Sequence, residues 1–368
     1  MIPVHPDDLT KEWLTRTLRN NGALTRAKVT GVRTELLGKD KGMAGQLARI
    51  HLDYDVVEEA GPRTLVTKFS PPDAQTRTRL HTMGFYEREV GFYEDLADHS
   101  PLRTPRCYFS AVDGEEGACL LILEDLEPAR NGSWVAGCSL AEAELAIGAV
   151  AAFHARWWRH PYLTDKPWLE LRGLTSIEQA PVFFQETWEP FLDKLGPRAT
   201  AEIRQTGTWL TSYLGALYQY LYRKPPCTLV HNDYQADNLF FTAGGGDTMS
   251  VAVLDWQLVT HGRAVLDVAW FLGGNLDPVH RRDHEQRLLR SYHAGLVDNG
   301  AMQYTFEQCW DDYRLAMLLS FSRVASVVGL GAVPAEQEKG YCEMLIPRYC
   351  RAVHDLRSAD VANAVLGA

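Results

Sequence analysis

Apolar positions recur along this chain with two different periods, and the switch between them divides it. Leu9, Trp13, Leu14 and Leu18 share one helical face behind Asp8 and Thr10, either of which can cap, so a helix is expected to open the chain and end near Asn20-Asn21-Gly22. From Val29 the period shortens. Val29 to Leu37, Leu47 to Tyr54 and Thr64 to Phe69 alternate or run β-branched between glycine- and charge-rich turns, which predicts three antiparallel strands. After Pro71-Pro72 one helix is expected over 78–97. Two further strands, Arg106 to Ala111 and Ala118 to Leu123, follow around the Asp113-Gly114 turn.

Past the loop-like stretch Glu127-Pro128-Ala129-Arg130-Asn131-Gly132 the helical period takes over. This places a lobe boundary at about residue 125, with a sheet-and-helix lobe over 1–124 and a helical lobe over 125–368. Ser139 and Glu142 form a capping box, each able to satisfy an orphan backbone N–H, for a helix over Ala143 to Trp158. Further helical patterns cover roughly 175–222, 278–297, 305–328 and 335–357. Two short apolar runs, Thr228 to His231 and Val251 to Leu254, interrupt them and are expected to pair as a buried hairpin. The fold class is therefore α+β, without internal repeats or low-complexity segments.

Composition narrows the partners. The 368 residues are 46% apolar and carry a net charge of −10, with no Lys/Arg run of the kind that tracks a phosphate backbone, so no nucleic-acid partner is expected. The amino terminus is charged every few residues and lacks the apolar core of a signal peptide. No later stretch reads as apolar over a membrane-spanning length, so the expectation is a cytoplasmic protein without a membrane partner, monomeric or homodimeric. Seven cysteines, an odd set without a C-x-x-C pair, argue against a disulfide framework or zinc knuckle and for reduced, structural thiols.

The candidate chemistry is concentrated in Leu229-Val230-His231-Asn232-Asp233-Tyr234-Gln235-Ala236-Asp237-Asn238-Leu239-Phe240 and, after Gly244-Gly245-Gly246, in Val251-Ala252-Val253-Leu254-Asp255-Trp256-Gln257. An aspartate in a loop can accept a hydrogen bond from a hydroxyl. Asn238, five residues on, and Asp255, after an apolar strand, supply the hard oxygen donors that suit Mg²⁺. A metallohydrolase reading of His231 and Asp233 would need further His or Asp clusters, and none is nearby. Asp237 reads as solvent-facing or locally capping.

H-x-D-x-x-x-x-N followed by an apolar strand ending in Asp-Trp resembles the catalytic and metal-binding core of the aminoglycoside phosphotransferase and choline kinase group, a small-molecule branch of the protein-kinase-like fold. The opening DDLTKEWL helix, the E-x-x-F-Y pattern at Glu89 to Tyr93 and the Leu123-Glu124-Asp125-Leu126 segment are most similar to bacterial phosphotransferases related to ecdysteroid kinases. The resemblance covers roughly residues 30–330. It implies a two-lobed fold with a small antiparallel sheet and a mainly helical lobe, and ATP and Mg²⁺ as cofactors. It also implies Asp233 as the catalytic base or orienting residue, Asn238 and Asp255 as metal ligands, His231 as a loop support and Asp267 as a buried brace. Protein in this chemistry works chiefly by positioning and by neutralising phosphate charge.

The same resemblance gives the first lobe its roles. Lys68, alone in the apolar strand Leu65-Val66-Thr67-Lys68-Phe69, corresponds to the lysine that kinases hold against the α- and β-phosphates by a helix glutamate. Glu87, Glu89 and Glu94 compete as its partner, and the E-x-x-F-Y pattern selects Glu89. Between the first two strands Gly42 and Gly45 are the glycines whose backbone would approach phosphates, although the loop departs from G-x-G-x-x-G. Backbone groups of Glu124 and Leu126 would meet the adenine edge at the interlobe hinge.

Protein kinases carry D-F-G, a long activation segment and A-P-E. Here only 256–266 separate Asp255 from Asp267 and no A-P-E follows, so the implied acceptor is a small molecule bearing a hydroxyl. After residue 125 there are 27 acidic against 21 basic residues, too mild an excess for a dedicated polycation pocket. Trp157, Trp158, Trp168, Trp188, Trp209 and Phe183-Phe184 could instead wall a sterol- or polyketide-like alcohol. Sugars, hydroxyacyl thioesters and an inactive nucleotide-binding protein are the alternatives.

Overall fold

The computed structural model describes residues 2–37, 45–56, 61–115, 117–243, 249–333 and 335–366. The chain divides into two compact units, one of residues 1–99 and 104–128, the other of 100–103 and 129–368. The division falls a few residues beyond 125 because Arg49 pulls Asp125 onto the sheet of the first unit, its Nε donating to Asp125 Oδ2 at 2.7 Å.

In the first unit, α1 (Lys11–Asn20) starts at Thr10, whose hydroxyl accepts from the Trp13 N–H, while Asp8 caps a separate short turn. It buries Leu14 and Leu18 against a five-stranded sheet. The strands are β1 (Val29–Leu37), β2 (Gln46–Tyr54), β3 (Thr64–Phe69), β4 (Cys107–Val112) and β5 (Cys119–Glu124). All pairs are antiparallel, in the order β1-β2-β3-β5-β4. β3 is thus central, and its alternate residues Leu65, Thr67 and Phe69 enter the core while Lys68 projects from the other face. The single helix expected over 78–97 is two, α2 (Ala74–Thr82) and α3 (Phe85–Asp95). They break at Gly84, whose φ of 73° is left-handed and ends the α2 register.

In the second unit α4 (Leu140–Arg156) begins with the Ser139–Glu142 capping box. The stretch 175–222 is likewise two helices, α5 (Gln179–Leu195) and α6 (Ala201–Arg223), parted at Gly196-Pro197, where proline cannot continue the ladder. The expected pairing of Thr228–His231 with Val251–Leu254 is not what forms. β6 (Arg130–Asn131), inside the segment read as loop, pairs with β8 (Leu239–Ala243), and β8 pairs with β9 (Met249–Val253). β7 (Thr228–Val230) pairs instead with β10 (Thr260–Gly262).

Helices α7 (Val265–Asn275), α8 (Pro278–Asp298), α9 (Phe306–Leu330), α10 (Ala335–Gly340), α11 (Ile346–Asp355) and α12 (Ser358–Leu366) complete the unit, with a π-helical turn over Tyr341–Leu345. α9 corrects one expectation: it is long and apolar enough to cross a membrane. In this structure 72% of its most apolar window is buried, and it packs against α5, α6, α7, α11 and α12 as the core helix of the unit. The seven cysteines are free thiols, and burial pushes Cys107 and Cys138 up to about 12 and Cys227 to about 11.

Candidate active site

The loop between β7 and β8 is anchored from beneath by one carboxylate. Asp267, in the first turn of α7 and fully buried, accepts from the backbone N–H groups of His231 and Asn232, both at 2.7 Å, and sits 3.0 Å from His154 Nε2 of α4. The other His154 nitrogen lies 2.7 Å from the Tyr292 hydroxyl. A carboxylate with several donors tolerates burial, which a lone charge would not. His231 is buried too. Its Nδ1 accepts from the Asp233 N–H at 3.2 Å and its Nε2 donates to Leu254 O at 2.8 Å, which assigns the Nε2–H tautomer and ties the loop to the end of β9. Burial lowers its pKa, against the opposing pull of Asp267.

Asp233 then stands with both carboxylate oxygens oriented. Trp270 Nε1 donates to Oδ1 at 3.1 Å and Asn238 Nδ2 donates to Oδ2 at 3.0 Å, with a second bond from Nδ2 to the Asp233 carbonyl at 2.9 Å. Burial raises the Asp233 pKa to about 7, with the Asp255 charge acting in the same direction. Arg323 and the two donors oppose the rise. Asn238 and Asp255 are linked through their strands, since the Leu254 N–H donates to Asn238 O at 3.0 Å. Asp255 follows β9 in a left-handed conformation with φ 64°, matched by Asn232 at φ 65° on the other side of the site. Left-handed non-glycine residues cost energy and gather where a structure holds them for a purpose.

A divalent metal fits this donor set. With Asn238 Nδ2 committed to Asp233, the amide presents its carbonyl oxygen, and Asp255 presents carboxylate. Both are hard donors, beside a second carboxylate whose charge Asp255 opposes. Among the described residues no three His, Cys, Asp or Glu side chains gather as a metal-binding group, so the chain would offer two ligands and leave the rest of an octahedron to phosphate and water. Asp237 is exposed and accepts from the Trp134 N–H at 2.8 Å, a bond across 103 residues of sequence and not a local cap, since Gln235 caps the turn that holds Asp237.

The first unit carries the other residues. Of the three competing glutamates it is Glu89, on α3, that meets Lys68: Nζ to Oε2 is 2.7 Å, with side chains 4% and 17% exposed respectively. Glu87 lies 2.8 Å from His81 Nδ1 and Glu94 accepts from the Ser110 hydroxyl. Glu124 closes β5. Its side chain accepts from the Arg106 N–H at 2.9 Å and its own N–H donates to Arg106 O at 2.8 Å, and Leu126 lies two residues beyond. Gly45 is set against the Phe69 carbonyl with no room for a Cβ, so the β2–β3 pairing alone requires glycine there. Gly42 lies outside the described residues.

A family model described as ecdysteroid kinase-like matches residues 39–303, nearly three quarters of the chain. The chain belongs to the ecdysteroid kinase-like family. No curated protein matches it. Three solved structures show what this family member resembles. Choline kinase from Cryptosporidium parvum has 11% identity and a TM-score of 0.56, covering 98% of this chain and 100% of that one. Amicoumacin kinase in complex with AMP-PNP, Ca²⁺ and Ami has 12% identity and a TM-score of 0.56, covering 95% and 96%. The GDP complex of wild-type aminoglycoside 2'-phosphotransferase-IIIa has 13% identity and a TM-score of 0.54, covering 95% and 99%. At these identities the likeness establishes the fold, which is that of the protein-kinase-like small-molecule phosphotransferases.

Sequence reasoning passed over three residues of this candidate site. His154 sits in an apolar helix face as Phe153-His154-Ala155, a buried histidine that asks for a partner. Trp270 stands three residues after Asp267 on α7, the next turn of the same helix. Arg323 is the one cation between Arg314 and Gly331 in an apolar helix, which was its only signal.

Proposed function

We propose that this ecdysteroid kinase-like protein transfers the γ-phosphate of Mg-ATP to a hydroxyl of a neutral or weakly charged small molecule. The observation that carries the reading is Asp233: each of its oxygens takes one donor, from Trp270 and from Asn238, which fixes the carboxylate's rotation and leaves its remaining lone pairs for an acceptor hydroxyl. Asp233 orients that hydroxyl and receives its proton as the oxygen bonds to phosphorus and ADP departs. Asn238 and Asp255 would hold Mg²⁺, which when bound neutralises charge on the phosphates. Lys68, held by Glu89, pairs with the α- and β-phosphates, the backbone at Gly45 approaches them, and backbone groups of Glu124 and Leu126 meet the adenine edge. His231 and Asp267 keep the loop in place.

A panel of hydroxyl compounds (aminoglycosides, macrolides, nucleoside antibiotics, sterols, amino sugars, choline, hydroxyacyl thioesters) offered with Mg-ATP tests this, with products read by mass for one added phosphate. A neutral acceptor is expected to react best, because a mild acid excess gives a polycation little attraction that salt does not screen. Aminoglycosides with the highest kcat/KM would refute that preference, and phosphorylation of casein would refute the small-molecule reading.

A further inference from the structure

Two residues outside the motif converge on Asp233 from behind. Arg323, on the core helix α9, donates from Nη1 to Asn232 Oδ1 at 3.2 Å and from Nη2 to Asn232 O at 2.7 Å. Its guanidinium lies over the Trp270 ring, 4.3 Å from the centroid. Trp270 in turn donates its indole N–H to Asp233 Oδ1. Asn232 is the residue held at φ 65°, and the Tyr222 hydroxyl donates to its Oδ1 at 2.8 Å while Asp267 takes its N–H. A left-handed residue directly before Asp233 is thus gripped from α6, α7 and α9, and among the described residues it is Arg323 that touches both this backbone and the indole that sets the carboxylate's rotation.

We propose that Trp270 and Arg323 act together as one positioning device for Asp233: Arg323 fixes the entry of the chain into the loop and the plane of the indole, and the indole N–H fixes the direction in which the carboxylate faces an acceptor. The proposal rests on the reading of Asp233 as the acceptor-orienting group. A guanidinium suits this task and an ammonium does not, because only the planar fork can make two parallel bonds to Asn232 and stack on a ring at once. Neither residue needs to touch the acceptor. A misdirected carboxylate loses rate while nucleotide binding, served by other residues, is retained.

The test compares Trp270→Phe, Arg323→Lys, Arg323→Gln, the Trp270→Phe/Arg323→Gln pair and Asp233→Ala in the full chain. Turnover of Mg-ATP is measured as ADP release, with water or a panel compound as acceptor, and affinity for Mg-AMP-PNP is measured by calorimetry. Loss of a hydrogen bond to a charged group predicts a fall in kcat of about ten- to a hundredfold in Trp270→Phe and Arg323→Gln, with nucleotide affinity unchanged. Arg323→Lys should recover little of it, and the double variant should be no worse than the poorer single one. A readout free of activity is the Trp270 indole N–H, assigned in ¹⁵N-tryptophan spectra by its loss in Trp270→Phe. Its protection from hydrogen exchange should fall in Asp233→Ala and in Arg323→Gln. Undiminished protection in Arg323→Gln, or losses of rate that multiply in the double variant, would overturn the proposal. Asp233→Ala with full turnover would instead sink the reading of Asp233 on which it rests.

Discussion

The pairing of Lys68 with Glu89 makes an asymmetric prediction about what each truncation costs. Two unit charges 2.7 Å apart attract by about 6 kcal/mol at an effective dielectric constant of about 20, before desolvation is subtracted. Lys68→Ala leaves the Glu89 carboxylate, only 4% exposed, without its cation, and removing one partner of a buried pair costs about 3–5 kcal/mol. Glu89→Ala leaves an ammonium on a flexible stem that is 17% exposed and can turn outward, so its cost should be nearer about 1–2 kcal/mol. The double variant has no stranded charge. It should be less destabilised than Lys68→Ala alone plus Glu89→Ala alone by about 2 kcal/mol or more, a coupling that contact pairs show and distant ones do not. Lys68→Met, which keeps the stem and removes the charge, should behave like Lys68→Ala. Because the chain has two units, a single unfolding midpoint would mix them. Urea unfolding read by peptide-resolved hydrogen exchange over β3 and α3 isolates the relevant one. Additive losses, or Glu89→Ala costing more than Lys68→Ala, would refute the reasoning and return Glu87 to contention.

Asp255→Ala should lower Mg-ATP turnover by about a hundredfold or more and abolish its response to added Mg²⁺, while stability falls only by the about 1–2 kcal/mol that the left-handed backbone costs an alanine; full activity would remove Asp255 from the metal site. Gly207→Ala should destabilise the second unit by about 1–3 kcal/mol, since a Cβ on α6 would drive into the Trp188 ring on α5, and calorimetric melting reads this directly. The lowered pKa of buried His231 means that the unfolded chain binds the proton more readily than the folded one. Its contribution to stability is complete above the unfolded histidine pKa of about 6.5 and is lost as pH falls below it, so the urea midpoint of His231→Gln should depend less on pH between 7 and 5 than that of the natural chain. Parallel pH curves would contradict the buried, neutral assignment.

What could be read in advance follows from where period and chemistry coincide. β2 and β3 alternate between buried and more open positions, and β5 is a continuous buried apolar run between turn residues, so these strands are visible, and Lys68 stands out as the one cation in the apolar strand β3. α7 has no such signature. All eleven of its residues are buried, so Val265-Leu266-Asp267-Val268-Ala269-Trp270 shows neither a polar face nor a period, and the helix that carries both Asp267 and Trp270 is invisible to pattern. Gly84 and Gly196-Pro197 break helices that the sequence pattern reads straight through, because helical spacing resumes on each side. Arg323 acts across 91 residues of sequence, a distance that only tertiary packing spans.

The left-handed backbone at Asn232 and Asp255 carries a consequence for how these positions can vary. Outside glycine, asparagine and aspartate occupy that conformation most readily, and other residues lose about 1–2 kcal/mol there. On the proposed reading, position 255 answers two demands at once, one for charge and one for backbone shape, and single substitutions separate them. Asp255→Asn keeps the shape and discards the charge, whereas Asp255→Glu keeps the charge and gives up the shape. At position 232 the side chain's bonds to Tyr222 and Arg323 are added to the backbone demand, so Asn232→Gly relaxes the conformation while cutting the tether. In a saturation library scored for function, both positions should accept a handful of residues drawn from the same short set, for reasons of torsion as much as of catalysis.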